Sequence, residues 1–215
     1  MRLLIRSALL SLSVLAAMAP STPLAAQGEA APELDALLRS FRSLPGLSAR
    51  FREEKHVALL AAPLRSEGEI HFAPPDRLLR RVTTPTRSVA LIADGRLTLV
   101  SDGRREQFDL TRQPLVAGFV DSFRHVLAGD REALERSYRI AYTREDDGRW
   151  RLTLRPRAAP LNQFLREMTF EGRGVQVRRM RMLEVSGDET RTEFYDVDTT
   201  RRWSPEEIRR VFRVD

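Results

Sequence analysis

The chain has 215 residues, 42% hydrophobic and 31% charged, with 36 Lys and Arg against 30 Asp and Glu for a net charge of +6, and it has no cysteine. That length suits one domain with a core of its own, and the missing thiols exclude disulfide staples, lipidation on cysteine and a cysteine nucleophile. The basic excess is small and interleaved with acids, as around Arg178-Arg179 and Arg201-Arg202, which describes a solvated face, open to weak attraction by anionic headgroups, and not a nucleic-acid groove.

Arg2 and Arg6 precede an apolar run from Ala8 to Met18 that ends near Pro20. Its 11 residues fall short of the ~20 that a bilayer span requires, so it has the form of the apolar core of a cleavable secretory leader. Ala25 and Ala26 place the cut before Gln27, although Leu24 is less usual than Ala at that spacing. Residues 1–26 are therefore expected to be a signal peptide and 27–215 a single exported domain in the periplasm. Without the two leader arginines the net charge falls to +4, because residues 1–26 carry no acid.

From Pro32 the residues Leu34, Leu37, Leu38, Phe41 and Leu44 recur at helical spacing up to Pro45-Gly46, which predicts an amphipathic helix over 32–44. The period then changes to two, with Leu47, Ala49 and Phe51 alternating against polar neighbours. Further strands are predicted at Arg65 to Phe72, Arg77 to Thr83, Val89 to Ile92, Leu97 to Val100 and Glu106 to Leu110, separated by Pro74-Pro75-Asp76, Pro85, Asp94-Gly95 and Asp102-Gly103. Asp-Gly pairs supply the positive φ angles of tight hairpins, so neighbours are antiparallel. Pro114 to Gly129 interrupts the pattern: Leu115, Val116, Phe119, Val120, Phe123, Val126 and Leu127 form one broad apolar helical face. Strands resume at Arg139 to Thr143 and Trp150 to Leu154, then at Glu167 to Glu171, Val175 to Val185 and Thr190 to Val197. Ser204-Pro205-Glu206-Glu207 opens like a capped helix, but the segment to Phe212 could equally be a strand.

The fold expected is mainly β: an antiparallel sheet of about ten or eleven strands, so large that it curls, with an N-terminal helix and an inserted helix to fill its concave side. At this point the residues resemble a known family. Gly68-Glu69-Ile70-His71-Phe72-Ala73-Pro74-Pro75-Asp76-Arg77-Leu78, Thr84-Pro85, Val89 to Leu97 with Asp94-Gly95 inside it, and then Gln107, with the order of the elements around them, are similar to the LolA family of outer-membrane lipoprotein carriers. The resemblance implies an unclosed β-barrel with a helical lid over an apolar cavity. It also implies a periplasmic carrier that shields lipoprotein acyl chains, collects them from an inner-membrane ABC-type exporter and hands them to an outer-membrane acceptor. Such a carrier needs no cofactor and works as a monomer. A LolA-like carrier or sensor for another lipid, a polyene or glycolipid, fits the same residues, and a LolA-fold enzyme is the remaining alternative. Where known members place a lid-latching basic residue before the second-strand proline, this chain has Pro74 before Pro75; Arg80 or Arg81 reaching helix carbonyls is the expected substitute.

Alternation groups Leu78 with Val82, Val89 with Leu91, and Leu97 with Leu99. If those sides are concave they face Leu115, Phe119 and Phe123 of the inserted helix, and with the resemblance these nine residues are the expected lipid-binding wall; each of them taken alone is by default an ordinary core residue. Glu67, Glu69 and His71 at alternate positions could present metal ligands on one face, but a solvated outer face accounts for them better, since no second His is near in sequence. His56 and His125 are isolated, and the paired acids Glu53-Glu54, Asp146-Asp147 and Glu206-Glu207 make no acid/base pair. There is no glycine-rich phosphate loop and no Gly-x-Ser-x-Gly, so no catalytic residue, metal or cofactor is expected.

Overall fold

The computed structural model describes residues 26–214, and of the expected leader only Ala26 falls inside that range. Helix α1 spans Ala26–Arg42 and runs through Pro32, where a helix start was expected. The strands follow as β1 (Leu47–His56), β2 (Leu64–Ala73), β3 (Arg77–Thr84), β4 (Ser88–Ala93), β5 (Arg96–Ser101) and β6 (Arg104–Asp109). Leu110, expected to finish that last strand, instead opens a short 3-10 turn whose amide end is capped by Asp109. Next come α2 (Pro114–Leu127), α3 (Arg131–Ser137), β7 (Tyr138–Arg144), β8 (Arg149–Pro156), β9 (Leu165–Arg173), β10 (Gln176–Glu184), β11 (Glu189–Asp198) and α4 (Pro205–Val211).

All eleven strands belong to one antiparallel sheet in the order β6-β5-β4-β3-β2-β1-β11-β10-β9-β8-β7. Every pair is a local hairpin except β1 with β11. The meander breaks between β6 and β7, where α2 and α3 are inserted, so the sheet does not close on itself. The Asp94-Gly95 and Asp102-Gly103 turns have positive φ at both residues (51° and 72° in each), the geometry whose twist matches a two-residue hairpin.

Cross-strand register divides the sheet into two faces. Leu47, Ala49, Ile70, Phe72 and Leu78 share the face that packs with Phe123 and Leu127 of α2. Further along the same face, Leu152, Leu154, Met168, Phe170 and Met180 form the main core with Leu34, Leu38 and Phe41 of α1. Helices α1 and α2 thus cover one face of the sheet, here called the inner face.

The outer face has two parts. Over β8 to β11 and on to β2 it is a charge ladder in which Arg151, Glu171, Arg179, Glu193, Arg52 and Glu67 stand opposite one another in turn, a solvated pattern worth little per pair. Over β2 to β5 it is covered. Trp203, Ile208, Val211 and Phe212 fold back onto Ala73, Leu79, Val89 and Leu91. Helix α4, left open between helix and strand by the sequence, carries a full capping box: Ser204 Oγ accepts from the Glu207 amide, and the Glu207 carboxylate accepts from that of Ser204. His71 therefore does not stand on a solvated face as expected; its ring lies edge-on to Trp203 with centroids 5.4 Å apart, and burial lowers its pKa.

Candidate functional site

Helix α2 begins with Pro114 at its first turn, where the absent N–H is no loss. Its apolar residues divide between two neighbours. Leu115, Phe119, Phe123 and Val126 join the main core, while Phe123 and Leu127 also join the cluster around Leu78. Phe123 bridges the two. Its ring meets Phe119 at 5.4 Å and Phe170 of β9 at 5.9 Å between centroids, both edge-on, the arrangement aromatic quadrupoles favour.

Leu78 of β3, Phe170 of β9 and Phe123 line one apolar cavity of about 60 Å³. Strands β3 and β9 are five places apart in the sheet, about 24 Å if it were flat. Sharing a cavity that small requires the sheet to curve around α2. The phenyl rings of Phe123 and Phe170 take up much of this interior.

Three contacts hold α2 in place. Arg42, at the end of α1, donates to the carbonyls of Gly129 (2.7 Å) and Ala128 (3.4 Å) just beyond α2, where a helix leaves carbonyls unsatisfied and favours a cation. Gly129 permits this closeness. Its φ is +59°, and a Cβ there would collide with the Leu38 carbonyl of α1. The third is Tyr138, whose buried hydroxyl donates to the Gly118 carbonyl at 2.9 Å; burial raises its pKa, so it remains a donor.

The expected latch is corrected by these contacts. Arg80 pairs with Glu53 at 2.7 Å and stacks over Phe51. Arg81 pairs with Glu69 and does reach a helix carbonyl, but that of Val211 in α4 at 3.1 Å. Among the described residues neither arginine makes a hydrogen bond or ion pair with α2. Arg42 was missed because its only signal was a basic residue in the last turn of a helix.

The expected wall divides. Leu78, Val82, Leu97 and Leu99 lie on the inner face, as register with Ile92, Ser88 and Ala90 requires. Val89 and Leu91 do not share it: they stand opposite Arg81 and Leu79 and pack under the C-terminal segment. Of the helical residues, Leu115, Phe119 and Phe123 are half-buried and pack against the core. Leu97, Leu99 and Phe108 stand half-buried on the inner face of β5 and β6, outside the three core clusters. They continue the apolar wall toward the open edge at β6. Phe170, Ile70 and Ile92 belong to it as well and were not anticipated. Among the described residues no group of His, Cys, Asp or Glu is placed to hold a metal ion, and no helix is long and apolar enough to cross a membrane.

The fold has solved relatives. MucB aligns with a TM-score of 0.51 at 16% identity, over 84% of this chain and 62% of MucB. A LolA superfamily protein from Nitrosomonas europaea aligns at 0.44 and 11% identity, over 83% of this chain and 96% of that one. The Mycobacterium tuberculosis lipoprotein LppX aligns at 0.44 and 10%, over 81% and 98%. At such identities the likeness concerns the fold alone. In sequence, no curated protein matches the chain. The family model for outer membrane lipoprotein carrier protein LolA-like matches residues 22–199; with all eleven strands and the inserted helices inside that range, the chain belongs to the LolA-like family.

Proposed function

We propose that the chain is a periplasmic carrier that shields the acyl chains of lipoproteins between the inner face of the sheet and α2. It would receive them from an inner-membrane ABC-type exporter and yield them to an outer-membrane acceptor. The observation that supports this is the filling of the curved interior by Phe119 and Phe123 of a helix held at its end by a single arginine. Each acyl CH₂ taken from water is worth about 0.8 kcal/mol. Because the rings that leave were themselves half-buried, exchanging them for lipid changes the free energy less than that sum. A small difference between the filled and self-filled states is what lets a carrier release its load.

The test is mass spectrometry of material that co-purifies with the protein from the periplasm. Triacylated polypeptide is the expected finding. A free polyene or glycolipid would move the assignment to another lipid, and protein that holds no lipid and takes up no acyl probe would refute both. Phe119→Asp is expected to abolish uptake in a protein that still folds.

A further inference from the structure

Five large apolar side chains are exposed among the described residues: Leu59, Leu60, Leu64, Phe164 and Val185. Distant in sequence, they share one end of the sheet, since the registers set the end of β1, the start of β2, the start of β9 and the end of β10 side by side. The loops are also tied together. The Val185 amide donates to the Phe164 carbonyl at 2.9 Å, the Ala58 amide to Asp188 Oδ1 at 3.1 Å, and Lys55 pairs with Glu184 at 2.9 Å. From Val57 to Leu64 the β1–β2 connection carries no polar side chain, although connections at a sheet end are ordinarily polar. Leu59 is 95% exposed. A side chain so exposed projects from the surface and lines no groove, and apolar exposure gathered in this way marks an interaction site.

Charge at this end indicates the occupant. The acids beside the leucines are engaged, Glu54 with Arg65, Glu184 with Lys55, Asp188 with the Ala58 amide, and Asp102, across from Arg87, accepts from Ser101 Oγ at 3.4 Å. Two exposed arginines at the same end, Arg87 before β4 and Arg166 in β9, make no ion pair or hydrogen bond among the described residues. A projecting apolar tip with unengaged cations beside it matches a bilayer surface, where leucines enter the headgroup boundary and guanidiniums meet phosphates.

We propose that this end docks on a bilayer containing anionic phospholipid, with Leu59, Leu60 and Leu64 as the inserting residues and Arg87 and Arg166 as the phosphate contacts. Docking there adjoins the lid, because Leu161, three residues before Phe164, rests on Gly118 of α2. The purpose of docking rests on the carrier reading; the binding itself does not.

The experiment is flotation of cargo-free protein with vesicles of phosphatidylethanolamine and phosphatidylglycerol. Because the chain has no cysteine, an environment-sensitive dye can be placed at Leu59→Cys, with Asp146→Cys at the opposite end as control. The protein is expected to float, with a blue shift at position 59 only. The double variant Leu59→Asp/Leu60→Asp is expected to keep its melting temperature and lose about tenfold or more in binding, the scale of one leucine's burial. Arg87→Gln/Arg166→Gln is expected to bind more weakly to these vesicles, with no such loss on neutral phosphatidylcholine. No flotation, equal flotation of the aspartate variant, or capture of a protein partner without vesicle binding overturns the proposal. Uptake of an acyl probe without vesicles reads the carrier function separately: if uptake fails while flotation persists, the carrier reading falls and the docking surface stands.

Discussion

The Arg42 guanidinium donates to the Gly129 carbonyl across 2.7 Å, joining residues 87 positions apart. It joins the end of α1 to the end of α2, so it resists any outward swing of the lid. Arg42→Gln is expected to cost about 1 kcal/mol of stability and, more tellingly, to speed amide exchange over 114–127 while β8 and β9 stay protected. Uniform exchange across both regions would show that the arginine holds no separate opening unit.

Phe123 connects the two halves of the inner core. Phe123→Ala should lower stability by about 2–3 kcal/mol, below the full range for a buried phenylalanine because the ring is half-buried. It should also enlarge the apolar cavity and tighten binding of a fluorescent fatty acid. Denaturant unfolding and probe titration measure the two effects, and a variant as stable as the parent would remove Phe123 from this role.

The Glu189 carboxyl is held down to about 2 from 4.5, first by the hydrogen bond from Arg181 and then by Arg191. An acid whose folded value is depressed stabilises the fold above its ordinary value and loses that contribution as pH falls through the folded one. The melting-temperature gap between the parent and Glu189→Gln should be full at neutral pH and close from about 4.5 down to about 2. A gap that does not vary with pH would assign the effect to packing.

Trp203 Nε1 donates to the Phe72 carbonyl at 2.8 Å, and its ring contacts His71 and Phe212. Trp203→Ala is expected to cost about 2 kcal/mol, less than a fully buried tryptophan would, and to free the C-terminal segment. Proteolysis should then cut near 199–204 in the variant before any other site.

Strand β4 shows where the sequence stopped being readable. Val89-Ala90-Leu91-Ile92 has no alternation, because one side meets the inner cluster and the other lies under Trp203 and α4. A strand covered on both faces reads as a plain apolar run, and all of β4 is half-buried, so the choice of Val89 and Leu91 over Ile92 had no local basis. Where one face stays wet, as at Leu152 and Leu154 against Arg151 and Thr153, alternation sufficed. The strands, the turns and the inserted helix follow from such local signals. Helix α3 does not: its Arg131–Ser137 sequence has just two buried residues, Ala133 and Leu134, too few for a helical period to register. The covering of His71 depends on Trp203, 131 residues after the Phe72 carbonyl it meets, and no pattern around His71 carries that information.

The strand order also bears on how the chain is made. Strands β1 to β6 and β7 to β11 each form by successive hairpins, contacts that close quickly. The seam between them joins Phe51 to Phe194, so a chain folded only as far as β10 carries β1 with one ladder edge unpaired until residues 189–198 arrive. Until then that edge has no partner strand among the described residues and is open to pairing with another chain.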